Sequence, residues 1–176
     1  MVGPDGPLAI FGDPNHRYAW ASVTKPVTAL AILVAAERGL IDLDEAAGPP
    51  GSTVRHLLAH ASGLPFDGDE PLSLPGRRRI YSNPGFDHLG ELLATRADAP
   101  FATVLAETVL APLGMGATEL LERPSQGLHG PLTDLVAFAG ELLRPTLLSA
   151  STFATATSVA YPGLPGVVPG VGRFDP

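Results

Sequence analysis

Residues 22–38 of the chain read SVTKPVTALAILVAAER, so a serine and the only lysine of the protein stand at the head of an apolar run. Positions i and i+3 of a helix share one face, and Ser22 and Lys25 therefore point the same way if this run is helical. Pro26 fits the first turn of a helix, where a missing N–H costs nothing. The pattern predicts a helix from Val23 to Arg38.

The Ser22–Lys25 spacing suits nucleophilic chemistry. A serine hydroxyl is a weak nucleophile until an adjacent base takes its proton, and an amine can be that base once it is neutral. Burial favours the neutral form of an amine, and the start of a helix offers backbone N–H groups to a developing oxyanion. The same spacing also occurs when a capping serine precedes a surface lysine, so the motif needs support from elsewhere in the chain.

A second polar motif, Tyr81-Ser82-Asn83, lies between a loop rich in glycine and proline and a helix expected after Pro84. A tyrosine beside a lysine can relay a proton, and an asparagine amide can hold both an amine and a substrate carbonyl. The alternative interpretation is a tyrosine that simply packs at the end of a loop.

Composition excludes several classes of function. The net charge of −7 argues against nucleic-acid binding, which requires a basic face. The absence of cysteine excludes disulfides, thiol catalysis and thiolate metal sites.

His56 and His60 are spaced as in zinc-binding helices, but no glutamate follows the first histidine and no third ligand is evident, so no metal site is expected. The arginines at 77–79 form either a solvated loop or an attraction for anionic substrates.

The rest of the sequence indicates many helices and few strands. Helices are expected at 53–60, 85–95, 101–110 and 133–143, with Ser52 or Thr53 as the cap of the first and Thr133 as the cap of the last. A further helix is expected after Ser149 or Ser151. Candidate strands are Leu8 to Phe11 and Arg17 to Trp20, and an irregular tail is expected from Tyr161. Because an isolated pair of strands is marginal in water, this chain is expected to hold an incomplete sheet.

Five blocks of the chain, in order, resemble the serine β-lactamase and penicillin-binding-protein superfamily, above all its branch of class C β-lactamases, D-alanyl-D-alanine carboxypeptidases and family VIII esterases. They are Ser22–Lys25 (S-x-x-K), Val54–Pro65, Tyr81–Asn83 (Y-x-N), Ala111–Met115 and Leu132–Phe138. The resemblance implies an α/β (α+β) fold of the β-lactamase/transpeptidase type, with an antiparallel sheet flanked by helices and an all-helical lobe at roughly residues 45–145.

The resemblance also implies roles for four residues. Ser22 would be the acylated nucleophile, and its backbone N–H would form half of an oxyanion hole. Lys25 would take or relay the serine proton, Tyr81 would be the partner base, and Asn83 would orient Lys25 and the substrate. The expected function is hydrolysis of a small-molecule ester, amide or β-lactam through an acyl-enzyme, as in an esterase, a D-alanyl peptidase or a β-lactamase, without a cofactor.

One departure from the superfamily pattern is serious. Its third motif, a lysine or histidine followed two residues later by glycine on an inner strand, is not found after the helix expected at 133–143. Residues 127–130 contain a histidine and glycines, but in the wrong place and with the wrong spacing. Residues 1–176 are therefore expected to form a single partial domain that lacks most strands of the sheet.

The missing third motif leaves a second function open. The alternative function is a catalytically inactive, truncated homologue that acts as a binding module or is completed by a partner.

The start of the chain bears on its location. No basic segment followed by a long apolar stretch opens the chain, which indicates a cytoplasmic protein without a membrane span. An extracytoplasmic location is the alternative if the N-terminus is incomplete. The oligomeric state stays open.

Overall fold

The computed structural model describes residues 2–3, 6–168 and 170–174, and helices dominate it. They are α1 (Thr24–Glu37), α2 (Val54–Leu58), α3 (Pro84–Ala97), α4 (Phe101–Leu105), α5 (Leu132–Leu143) and α6 (Ala150–Ala156). A 3-10 turn at Ala21–Val23 precedes α1, and a π-helical segment at Ala106–Leu110 continues α4.

The strands are short and form three small sheets among the described residues. They are β1 (Val2–Gly3), β2 (Gly6–Pro7), β3 (Arg17–Ala19), β4 (Arg79–Ile80), β5 (Glu119–Leu120), β6 (Leu128–Pro131), β7 (Gly166–Val168) and β8 (Gly172–Phe174). The sheets have the orders β1-β2, β3-β6-β5 and β4-β7-β8, and every pair is antiparallel except β4 with β7. The fold is therefore mixed α/β, with small antiparallel sheets flanked by helices, as the sequence predicted.

Helix α1 lies at the centre of the core. Val27, Ala31 and Ile32 on this helix are completely buried, and it packs against α3 and the 106–110 segment. A helix that is apolar on nearly every side is stable only when it is surrounded, and each large side chain buried in this way contributes about 1.5–3 kcal/mol. The residues at the head of α1 therefore stand on a rigid support.

Two of the predicted helix caps are present and one is not. The Thr53 side chain accepts the backbone N–H of His56 at the start of α2, and Ser149 caps α6. Thr133 does not cap α5, because β6 runs directly into the helix and the N-cap position is taken by Pro131 in extended conformation.

The predicted strand at Leu8 to Phe11 and the predicted irregular tail from Tyr161 are both wrong. Residues 8–11 form no strand, and Leu8 and Phe11 are exposed. The tail contains β7 and β8, and β7 pairs with β4. Local composition could not indicate this pairing, because its two strands lie far apart in the chain and are only two and three residues long.

Candidate active site

The nucleophile candidate, Ser22, is exposed on the turn that leads into α1. Trp20 anchors this turn to β6, since its backbone N–H donates to Leu128 O at 2.8 Å and its indole N–H to Gly130 O at 3.0 Å. Ala21 has a φ of +46°, a left-handed conformation that costs a residue with a side chain about 1–2 kcal/mol. The surrounding hydrogen bonds hold this strained residue directly before the serine, as is common at functional sites.

Lys25 is buried, with 3% of its surface exposed, and its amine faces three uncharged oxygens. Nζ lies 3.3 Å from Ser22 Oγ, 2.6 Å from Asn83 Oδ1 and 3.0 Å from Ser125 O. None of the ion pairs found among the described residues includes Lys25. The lysine is therefore held in place by hydrogen bonds to neutral groups.

Tyr81 directly follows β4, and its ring lies over the lysine. The ring centroid is 4.7 Å from Lys25 Nζ, and the backbone N–H of Tyr81 donates to Val167 O of β7 at 3.2 Å. The ring also stacks near His60 and Phe66, with centroid distances of 4.6 and 6.0 Å. Tertiary structure thus brings Tyr81 beside the Ser22–Lys25 pair.

Asn83 connects the lysine to an exposed loop. Its side chain is 5% exposed; Oδ1 accepts from Lys25 and Nδ2 donates to Asp67 Oδ1 at 3.0 Å. Its backbone N–H donates to Phe66 O at 2.9 Å. The two contacts of the amide fix which end faces the lysine. Asp67 was not identified from the sequence, because no local pattern distinguishes one acidic residue from the others in a polar loop.

Ser125 is a second residue that the sequence did not reveal. It contributes its backbone carbonyl to Lys25, while its own N–H donates to Asp87 Oδ1 at 3.1 Å. Gly90 of α3 allows this approach, because a Cβ built there would lie 2.3 Å from the ring of Pro124. A contact made by a backbone carbonyl leaves no signature in residue type, so only the structure could show it.

The paired histidines have partners other than a metal. His56 Nδ1 is 2.9 Å from Thr53 Oγ1, its ring stacks on Tyr161, and burial lowers its pKa. His60 Nδ1 accepts the backbone N–H of Ser82 at 3.1 Å. Burial, with smaller contributions from neighbouring cations, lowers the pKa of His60 to about 4. Within residues 2–3, 6–168 and 170–174, no three His, Cys, Asp or Glu side chains are grouped to hold a metal ion.

The remaining charged candidates lie outside the Ser22–Lys25 contact. Arg77 and Arg78 are exposed, whereas Arg79 in β4 donates to Tyr161 O at 3.2 Å. Asp134, in the first turn of α5, accepts the Ala117 N–H and the Thr118 hydroxyl at 3.0 and 2.8 Å. Its carboxylate therefore joins α5 to the loop before β5.

No helix in the described part of the chain has the length and apolar character needed to cross a membrane.

The turn before α1, the first turn of α1 and the segment after β4 bring a serine, a lysine, a tyrosine and an asparagine close together. The beta-lactamase family model matches residues 12–172, and the chain belongs to this family. A beta-lactamase structure from Mycobacterium bovis superposes with a TM-score of 0.96 at 49% identity, covering 99% of this chain and 65% of that one.

Curated relatives are more distant in sequence. Penicillin-binding protein 4* of Bacillus subtilis is 28% identical over 142 residues, covering 62% of this chain and 32% of that protein. Protein flp of Staphylococcus aureus is 26% identical over 151 residues, covering 66% and 30%. The chain spans about a third of the length of the curated relatives it matches. Membership of the superfamily expected from the sequence is confirmed.

Proposed function

We propose that the protein hydrolyses an ester or amide through an acyl-enzyme on Ser22. The observation that carries this proposal is the buried Lys25 amine, 3.3 Å from Ser22 Oγ and surrounded by neutral oxygens. In the first step Ser22 Oγ forms a bond to the substrate carbonyl carbon while its proton passes to the amine. The resulting oxyanion collapses, the leaving group departs with a proton, and water later releases the acyl group.

The contacts of Lys25 suit a base. A neutral amine has two N–H donors and one lone pair. The closest oxygens are Asn83 Oδ1 at 2.6 Å and Ser125 O at 3.0 Å. Both can only accept hydrogen bonds, so they accept the two N–H groups of the amine. The longest contact, to Ser22 Oγ, then leaves the lone pair facing the hydroxyl proton. General-base assistance of this kind contributes about 10²–10⁴ in rate.

Tyr81 and Asn83 complete the proposed machinery. The Tyr81 ring centroid lies 4.7 Å from Lys25 Nζ, and its phenol is the group we assign to proton exchange with the amine. Asn83 orients the amine through Oδ1, and the second hydrogen of Nδ2 is the one we assign to the substrate. The Ser22 backbone N–H, at the head of α1, is the donor assigned to the oxyanion, since such a donor is worth about 10²–10³ in rate.

The substrate class is proposed from the relatives. The names beta-lactamase and penicillin-binding protein point to cyclic or D-alanyl-like amides, and the same acyl-enzyme chemistry serves simple esters. A fluorescent penicillin and a p-nitrophenyl acetate assay distinguish these substrates. Modification by penicillin without turnover of the ester would favour the peptidase or β-lactamase function, and the opposite result would favour an esterase.

Covalent labelling tests the proposal directly. Wild-type protein treated with a fluorophosphonate probe should gain one adduct, which mass spectrometry assigns to the peptide with Ser22. The adduct should be absent in Ser22→Ala and form more slowly in Lys25→Ala and Tyr81→Phe. An adduct on another serine, or equal labelling of Ser22→Ala, would refute the assignment.

The second candidate is an inactive homologue that binds ligands or is completed by a partner. The observation in its favour is that the chain matches only 65% of the M. bovis protein, so a partner could supply the remainder of the fold. A folded wild-type protein that the probe leaves unmodified would support this candidate over hydrolysis.

A further inference from the structure

The segment that carries Tyr81 is held from two sides, and one residue supplies two of the three bonds. The Ile80 N–H donates to His60 O at 2.8 Å, and the Ser82 N–H donates to His60 Nδ1 at 3.1 Å. The Tyr81 N–H points the other way and donates to Val167 O at 3.2 Å. The backbone on either side of the tyrosine is therefore bonded to a single histidine.

The conformation of His60 makes this double contact feasible. His60 follows the end of α2 with a φ of +56°, a left-handed conformation that turns the chain sharply. Its carbonyl and its imidazole then both face β4, and its ring lies 4.6 Å from the Tyr81 ring and 5.1 Å from the Phe86 ring. Three separate features of one residue thus act on the position of Tyr81.

We propose that His60 is a positioning residue for Tyr81, through the acceptor at Nδ1 that holds the Ser82 N–H. The inference rests on the proposed catalytic role of Tyr81 and extends it to a residue that does not touch the substrate. A phenol displaced by about 1 Å no longer meets the amine in a productive geometry, and such misplacement costs about 10²-fold in rate.

The chemical form of the imidazole agrees with this role. Nδ1 accepts a hydrogen bond only while it carries no proton, so the ring proton must be on Nε2. Burial, which acts whatever the charge of Lys25, is the largest cause that lowers the pKa of His60 to about 4; the Arg79 guanidinium, and Lys25 when it is protonated, lower the pKa further. Among the described residues, the titratable groups that face the ring are the Lys25 amine, the Arg79 guanidinium and the Tyr81 phenol. The acceptor is therefore present throughout the neutral pH range.

Two substitutions separate the acceptor from the rest of the side chain. His60→Asn places an amide oxygen near the position of Nδ1, and His60→Gly removes the acceptor. Both residues tolerate a left-handed backbone, so strain does not distinguish them, and both lose the aromatic ring. Urea unfolding of each variant shows whether it is folded under the assay conditions.

The first readout is the rate of acylation of Ser22 by the fluorophosphonate probe, measured over a range of probe concentrations. We expect His60→Gly to lower the limiting rate about 10- to 100-fold, with little change in the concentration that gives half the limiting rate. His60→Asn should return to within about threefold of wild type, because it restores the acceptor. Equal rates for His60→Gly and wild type, or equally slow rates for both variants, would overturn the proposal.

The second readout does not depend on activity. In ¹⁵N-labelled protein the Ser82 amide should exchange slowly in wild type and His60→Asn, and faster in His60→Gly. The imidazole nitrogen shifts should show a proton on Nε2 and none on Nδ1. If wild type is not acylated, the proposed function fails, while the Ser82 exchange still decides whether His60 holds the segment; unchanged exchange in His60→Gly would refute it.

Discussion

The two halves of the candidate site are built in different ways. Ser22 and Lys25 are three residues apart, on the turn before α1 and in the first turn of α1, so the short chain between them keeps them close together. Tyr81 instead follows a strand of two residues and is held by bonds from distant parts of the chain, at His60 and Val167. The proposed nucleophile and base are therefore neighbours in the sequence, whereas the proposed partner base is positioned by tertiary contacts.

The energies of the two halves differ accordingly. Burial of the α1 side chains contributes about 1.5–3 kcal/mol for each large residue, whereas each backbone bond that holds the Tyr81 segment contributes about 0.5–1.5 kcal/mol net. The tyrosine side of the site is therefore the side that a small change can displace.

The largest expected effect comes from breaking the helical half. Lys25→Ala removes the base, and we expect acylation of Ser22 to slow about 10²–10⁴-fold. Arg38→Ala, at the exposed end of the same helix, is the control and should label at the wild-type rate. Time courses of probe incorporation, followed by intact-protein mass spectrometry, measure both. Wild-type labelling of Lys25→Ala would remove the lysine from the mechanism.

The next effect concerns the tyrosine side of the site and is the pH dependence of stability that His60 causes. The imidazole of His60 has a pKa of about 4 in the folded protein and about 6.5 when unfolded. The unfolded chain therefore binds the proton more readily, and stability is lost as pH falls from about 6.5 to about 4. The free energy of unfolding should decrease by about 2 kcal/mol from this residue between pH 7 and pH 5.

Urea titrations of wild type and His60→Asn at both pH values isolate the contribution of His60. Asparagine does not titrate, so the variant should lose less stability on acidification than wild type. Other acid-sensitive groups, such as His56, contribute equally to both proteins and cancel in the comparison. Parallel losses in the two proteins would show that the imidazole does not resist protonation.

A third change concerns Gly90 of α3, which lies against Pro124, the neighbour of the Ser125 that accepts from Lys25. Gly90→Ala forces a methyl group against Pro124, and overpacking of this kind costs about 1–3 kcal/mol. The matched control is Gly140→Ala in α5, where a Cβ meets nothing within 4 Å and the helix should gain about 0.5–1 kcal/mol. Thermal or urea unfolding checks the opposite signs. Because Pro124 adjoins Ser125, Gly90→Ala should also slow acylation; an unchanged rate would mean that the Ser125 carbonyl is dispensable.

The smallest expected effect concerns the loop contact of Asn83. Asp67→Ala removes the acceptor that orients the amide, and a single hydrogen bond at an exposed acid corresponds to about a two- to tenfold change in acylation rate. Asp67→Asn retains an oxygen acceptor and should stay within about twofold of wild type. Rates measured in parallel test this difference, and equal losses in Asp67→Asn and Asp67→Ala would show that charge, and not orientation, matters.

Predictions from sequence succeeded where the structure is local. The helix at residues 23–38 was predicted within one residue at each end, and Thr53, one of the two caps expected for α2, is the residue that caps it, because both features depend on neighbours within one turn. The strand at Leu8 to Phe11 and the Thr133 cap were wrong, since in each case the surrounding chain decided the conformation. The proximity of Tyr81 to Lys25 was inferred from family resemblance and not from the residues themselves.

The sequence by itself determined the Ser22–Lys25 pair, the helix that presents it and the family to which the chain belongs, because a periodic apolar pattern and a three-residue spacing are properties of adjacent residues. The family resemblance also assigned Asn83 to the amine. Only the tertiary structure decided that the Ser125 carbonyl accepts from Lys25, and that the His60 and Val167 carbonyls hold the Tyr81 segment. Those contacts join segments far apart in the chain through backbone groups that every residue possesses, so no pattern of residue types could predict them.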